Sequence, residues 1–233
     1  GSHIVPIVPS AIIFDLGFGS GRGRPSQEDG YTAAGAASVA QVQQGNVGAG
    51  TGATVGKALG PGKAMKGGLG SSSLDMGEGI VLGALVVVNA IGGVFEPDTG
   101  SILAGPRGPE GWPLDSTNVY LDPLFGRDGN TAPPAELGNT TIGVVATNVQ
   151  LNKAQTNRLA TIAHDGLALA IRPTHTPHDG DTMFALATGE VEASEEFVRL
   201  CALTPTVVAR AIVNGVKSAS SARGIPAASE ISG

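Results

Sequence analysis

Gly138-Asn139-Thr140-Thr141-Ile142-Gly143-Val144-Val145-Ala146-Thr147 is a β-branched run that opens on an Asn-Thr bond. Its composition predicts a strand over residues 140–149. The bond also carries a chemical possibility. A threonine hydroxyl is a poor nucleophile until a base removes its proton, and an adjacent α-amine can be that base. The amine titrates near pH ~8, so a good fraction is neutral at working pH. A break between Asn139 and Thr140 would give one residue both groups. Downstream, Asp179-Gly180-Asp181 sets two carboxylates two positions apart, on one side of an extended segment. Such a pair suits the holding and polarising of an amine. The plain alternatives are a threonine that starts a strand and an Asp-Gly turn that leads into one.

Working outward, residues 182–191 predict a second strand. Asn152 with Gln155 forms a capping-box pattern, and Leu159, Ile162, Ala163, Gly166, Leu167 and Ala170 then follow helical spacing. Thr204-Pro205 predicts the start of a last helix with Val208, Ala211, Ile212, Gly215 and Val216 as its buried stripe. The small polar tail from Ser218 predicts fraying. Upstream, residues 79–95 read as two buried strand segments around a turn. Residues 4–16 read as one or two edge strands because of Pro6 and Pro9. Ser26 and Asp29 mark a helix start ahead of an alanine-rich stretch to about Gln43. Residues 45–73 are dense in glycine, so turns should break them, and 96–138 predict a long mobile connector. Strands with helices on their faces give a layered α/β class.

Bulk properties narrow the function classes. The chain has 233 residues, 36 of them glycine, with 41% hydrophobic and 15% charged content. That composition supports a folded core and excludes disorder of the whole. A net charge of −6 leaves no electrostatic footprint for nucleic acid or an anionic membrane. The apolar run 79–95 falls short of a typical span of ~20 residues, so no membrane partner is expected. The single Cys201 suits a reducing, cytoplasmic setting and reads as a structural thiol. His175, His178, Asp179 and Asp181, with His164-Asp165 upstream, are zinc-type ligands without a recognised spacing. Gly56-Lys57 is followed by Ala58 and preceded five residues earlier by Thr51, so a phosphate-binding loop fails at two positions. No metal and no cofactor is expected.

Several segments together resemble the DmpA-type family of self-cleaving peptidases, whose relatives include nylon-oligomer hydrolases. They are the Asn139-Thr140 run, Val5-Pro6-Ile7-Val8-Pro9 with Ile12-Ile13-Phe14-Asp15-Leu16, Lys66-Gly67-Gly68-Leu69-Gly70 and Val86-Val87-Val88-Asn89-Ala90. Ala163-His164-Asp165-Gly166, Ile171-Arg172-Pro173-Thr174-His175-Thr176 and Asp181-Thr182-Met183-Phe184-Ala185 continue the pattern in the family's order. The resemblance implies an αββα sandwich, as in ornithine acetyltransferases, self-processed into two chains. Residues 1–139 would be the C-terminal part of the α chain and 140–233 the β chain, together one domain. It implies cleavage between Asn139 and Thr140, with Thr140 as the nucleophile and Asn89 as the oxyanion donor. Lys57 would stand near the nucleophile, with Lys63 and Lys66 competing for that place, and Asp179 and Asp181 would hold the amine. Family members carry a further N-terminal segment that supplies a site tyrosine. Tyr31 and Tyr120 stand in other contexts, and Gly1-Ser2-His3 resembles a tag scar, so an N-terminal third is expected to be missing.

The function implied is an autoprocessing N-terminal-threonine amidohydrolase or aminopeptidase. It would act on small peptides, β-peptides or ω-amino acid (nylon-type) oligomers through an acyl-enzyme. Homo-oligomers, often tetramers, are the family's assembly. The alternative is an inactive α/β fragment that serves as a structural or binding module.

Overall fold

The computed structural model describes residues 3, 5, 7–19, 21–124 and 138–231. In chain order the elements are α1 (Gln27–Gly35), β1 (Thr54–Val55), β2 (Met65–Lys66), β3 (Gly68–Asp75), β4 (Val81–Asn89), β5 (Gly93–Phe95), β6 (Ile102–Ala104), α2 (Ser116–Leu121), β7 (Thr140–Val149), α3 (Lys153–Ala170), β8 (Ile171–Arg172), β9 (Thr182–Val191), α4 (Phe197–Lys217) and α5 (Ala228–Ile231). The main sheet has the order β3-β4-β7-β9, and smaller sheets are β1-β2 and β6-β5-β8. β3, β4 and β7 pair antiparallel, whereas β9 joins β7 in parallel. A parallel neighbour needs a crossover, which α3 supplies between β7 and β9.

The long helices α3 and α4 pack on this sheet, and the core lies between them and the strands. Leu82, Val86, Val88, Leu159, Leu167, Leu200, Val208 and Ile212 are all fully buried there. Each such side chain gains about 1.5–3 kcal/mol from leaving water. β7 alternates buried and half-buried positions, as a strand with one wetter face should. The closeness of the layers rests on glycine. A Cβ on Gly70 would meet the Ala211 carbonyl oxygen at 2.0 Å and the Gly215 nitrogen at 2.3 Å. One on Gly166 would meet Val208 Cβ at 2.6 Å, so α3 also nests against α4 through an absent side chain.

Five expectations are corrected. No strand forms among the described residues of the segment 4–16, and Ile7, Val8 and Ile12 are exposed. β-branched residues favour a strand only where a neighbour accepts the ladder, and among the described residues none pairs with this segment. α1 has the capping box of Ser26 and Asp29 but stops at Gly35, because it buries no residue that would hold a longer helix. α4 starts at Phe197, with Pro205 inside it. Burial of Leu200, Val207 and Val208 carries the helix through a proline that costs about 3 kcal/mol in a helix interior. The tail past Ser218 is tied down by the Ala222–Ile225 bridge, by Lys66 N–H donating to the Pro226 carbonyl and by buried Ala227 and Ala228. Residues 96–124 hold β6 and α2, and the expected mobility of 125–137 lies outside the described residues.

Gly70→Ala forces backbone apart from backbone. Urea denaturation should show a loss of about 1–3 kcal/mol. A loss under about 0.5 kcal/mol would contradict the close approach of α4 to β3.

Candidate active site

Strand register converges the site. Asn89, the last residue of β4, pairs with Thr140, the first of β7. On the other side Asn139 bridges Asp179 in parallel, just before β9 begins at Thr182. Residues far apart in sequence therefore share one sheet end.

Asn89 is buried and its amide is fully specified. Oδ1 accepts from Lys57 Nζ at 2.8 Å and from the Thr54 N–H at 3.1 Å. Nδ2, the donor end, then faces the chain before Thr140, giving bonds to the carbonyls of Gly138 (3.1 Å) and Phe14 (3.3 Å). Lys57 Nζ also donates to the Asn89 carbonyl at 3.0 Å. Burial pushes the Lys57 ammonium down to about 7, against the pull of Asp179 and Asp15. Of the three competing lysines, Lys57 is the one joined to Asn89. Lys66 is buried on the carbonyls of Thr51 and Ala53, with its ammonium 4.5 Å from the Phe18 ring centre. Lys63 is exposed.

Thr140 is 8% exposed, and its hydroxyl donates to the Asn139 carbonyl oxygen at 2.5 Å. The same oxygen accepts the Gly180 N–H at 2.8 Å. Asp181 takes the Thr141 N–H on Oδ1 at 2.7 Å, and on Oδ2 the Thr174 hydroxyl at 2.8 Å and the His175 N–H at 3.2 Å. His175 Nδ1 lies 3.1 Å from that second oxygen. Asp179 accepts the Thr176 N–H and hydroxyl on Oδ2, at 3.0 and 2.7 Å. Its Oδ1 is buried with no hydrogen-bond partner among the described residues. Burial raises the Asp179 carboxyl, helped by the like charge of Asp181 and opposed by the Thr176 bonds and the backbone N–H of Ile91. The two acids thus differ: Asp181 holds donors on both oxygens, whereas the hydrogen bonds to Asp179 fall on Oδ2.

A cavity of about 200 Å³ opens beside Gly138, with Phe14, Asp15, Phe18, Thr54, Lys57 and Asn89 in its wall. Sequence reasoning did not find Thr174, Thr176, Asp15 or the Gly180 N–H. Only Thr176 had a readable signal, its three-residue spacing to Asp179, which is that of a side chain closing a turn. Tyr120, set aside by sequence context, stands near enough to Asp179 that burial first and then that charge raise its phenol. Among the described residues no three His, Cys, Asp or Glu side chains are grouped to hold a metal ion. His164 instead lies 4.9 Å from the His175 ring, and burial and that neighbour lower it. Cys201 is half-buried on α4 with its thiol pushed up by burial, a poor setting for a nucleophile. Among the described residues no helix is long and apolar enough to cross a membrane.

Comparison with known proteins places relatives around this geometry. The sequence matches Peptidase family S58 over residues 1–229. It is 41% identical to an uncharacterized aminopeptidase of Mycobacterium tuberculosis, over 97% of this chain and 67% of that protein. It is 31% identical to a 6-aminohexanoate-oligomer endohydrolase of Agromyces sp., over 80% of this chain and 51% of that one. The chain thus spans two thirds of the mycobacterial relatives and half of the nylon-oligomer hydrolases. Among solved structures, the L-aminopeptidase D-Ala-esterase/amidase of Ochrobactrum anthropi superposes with a TM-score of 0.56 at 24% identity, over 83% of this chain and 50% of that one. A Burkholderia sp. β-aminopeptidase gives 0.55 at 23% identity, over 86% and 54%. The chain has the Ntn hydrolase fold, in agreement with the expected αββα class.

The lowered Lys57 has a stability signature. Between about pH 7 and 10.5 the unfolded chain holds a proton on this lysine that the folded chain lacks, so stability rises with pH across that window. Urea titrations of the wild type and Lys57→Met should diverge there by up to ~1.4 kcal/mol per pH unit, the wild type gaining. Parallel profiles would contradict a buried, easily neutralised amine.

Proposed function

The chain belongs to peptidase family S58, and we propose that it cuts itself between Asn139 and Thr140 and then hydrolyses amide bonds with Thr140 as its N-terminal nucleophile. The observation that carries this reading is the Thr140 hydroxyl lying 2.5 Å from the oxygen of the carbonyl it would attack. In the uncut chain the Thr140 nitrogen is an amide and has no basicity. Once cut, it is an α-amine titrating near ~8 and can take the side-chain proton. The Thr140 oxygen then attacks the carbonyl carbon of a bound amide, and the amine returns the proton to the leaving nitrogen. Water releases the acyl group from the threonine.

Charge develops on the carbonyl oxygen in both halves of that cycle. Asn89 Nδ2 is the donor aimed at this region, because Lys57 and Thr54 occupy the other end of its amide. Lys57 acts through Asn89, holding the donor in place, and with its pKa near 7 it exchanges protons at neutral pH. Asp181 fixes the Thr141 N–H and hence the start of β7. Asp179, which bridges Asn139 beside the cut, would take the new ammonium. Substrates by this reading are short peptides, β-peptides or ω-amino acid oligomers, the amide classes carried by the names of the relatives above.

A panel of aminoacyl, β-aminoacyl and 6-aminohexanoate amides assayed with the purified protein tests the reading. Thr140→Ala should abolish hydrolysis of every substrate that the wild type cleaves. Asn89→Ala should lower kcat by about 10²–10³-fold, the cost of one oxyanion donor. Hydrolysis surviving in Thr140→Ala would overturn the assignment, and activity lost on chelation would transfer the chemistry to a metal.

A further inference from the structure

We infer that the backbone N–H of Gly180 is the oxyanion donor for the self-cleavage step, and that residue 180 is glycine to leave room for the Thr140 hydroxyl. The inference rests on the processing reading above and specifies which atoms carry it. In the uncut chain Asn89 Nδ2 is spent on the carbonyls of Phe14 and of Gly138, the latter one residue short of the carbonyl that must be attacked. The oxygen that would become anionic, that of Asn139, receives the Gly180 N–H at 2.8 Å and the nucleophile's own hydroxyl at 2.5 Å. Attack withdraws the second of these. The Gly180 N–H is then the donor left on the developing charge, in a place where Asn139 is 1% and Thr140 8% exposed. A fixed donor in such a dry site is worth more than in water.

The glycine follows from space and not from backbone conformation. Gly180 is not among the glycines with positive φ. A Cβ there would lie 2.9 Å from Thr140 Oγ1 and 3.5 Å from its Cγ2. Any side chain would press on the nucleophile. Flanking residues fix the donor: Asp179 bridges Asn139, and Thr182 pairs with Ile142 at the head of β9. Asp179 and Asp181 thus serve the cut by holding the N–H between them.

The step balances without a co-reactant. A bond forms from Thr140 Oγ1 to the Asn139 carbonyl carbon, and the π pair of that carbonyl moves onto its oxygen, held by Gly180. Collapse breaks the bond to the Thr140 nitrogen, which ends with the proton the hydroxyl lost. The product is an ester between Asn139 and Thr140. Water splits it into a carboxylate and the free threonine hydroxyl.

The direct test replaces Gly180 with glycolate by cell-free translation, exchanging the N–H for an oxygen without adding bulk. Processing of the freshly made chain is followed on denaturing gels with and without hydroxylamine, and circular dichroism reports folding. The expected result is a first-order rate lowered ~10²–10³-fold in a folded chain. Hydroxylamine, which also splits the new ester after Asp179 into pieces of other sizes, should not restore the cut before Thr140, because the defect precedes the ester at Asn139. Processing at the wild-type rate, or rescue by hydroxylamine, overturns the inference. Gly180→Ala gives a second reading: it keeps the N–H but crowds the hydroxyl and should also process more slowly. A wild-type rate in that variant overturns the role assigned to space. A wild-type chain that never cuts itself would instead sink the processing reading, and this inference with it.

Discussion

The register of β7 between an antiparallel and a parallel neighbour is the constraint on which the site depends. β4 runs toward the Thr140 end of β7 and finishes at Asn89, while β9 starts beside it after Asp179 bridges Asn139. A slip by one residue would turn every side chain of β7 to the opposite face. It would bury the half-exposed positions of that strand and carry Thr140 away from both partners. The register is held from the far end as well, where Asn148 takes the Val81 N–H and donates to the Gly79 carbonyl. Packing of α3 and α4 through Gly166, Gly70 and Gly215 fixes the sheet against which that register is set.

Against this frame the site keeps polar groups where burial makes them costly. Lys57 and Lys66 are both buried, and both are pushed down from the usual lysine range, to about 7 and about 8. A buried ammonium costs several kcal/mol unless it is bonded and paired. Backbone carbonyls and the Asn89 amide meet the first need, and Asp15 lies near enough to both ammonium groups to oppose their shifts. On the acid side Asp181 holds donors on both oxygens and Asp179 is raised by burial, which divides the two carboxylates by environment. Groups so disposed are what a proton-transferring site needs, and they accumulate at one sheet end.

Much of this was legible in the residues. The bounds of β7 and β9 and the capping box of α3 came from strong local signals, namely β-branched runs and an Asn-x-x-Gln cap. The buried run of β4 and β5 was legible for the same reason. The N-terminal arm misled because its prolines and valines look like an edge strand, yet a ladder depends on a partner that local sequence cannot name. Pro205 misled in the other direction: a usual helix opener sits mid-helix because the apolar stripe extends N-terminal to it. In the site, side chains of distinctive chemistry stood out, and Lys57 could be separated from Lys63 and Lys66 only by long-range contacts. The Gly180 N–H and the Thr174 hydroxyl on Asp181 had no signal at all. Every residue has an amide, and which one faces a given carbonyl is decided by register.

Sequencing from the amino terminus of the purified protein tests the central claim most directly, since a self-cut chain carries two starting residues. The account predicts a second sequence, Thr-Thr-Ile-Gly-Val, in equal amount to the first. A single sequence from the original terminus, with an intact mass spanning Asn139 and Thr140, would contradict it.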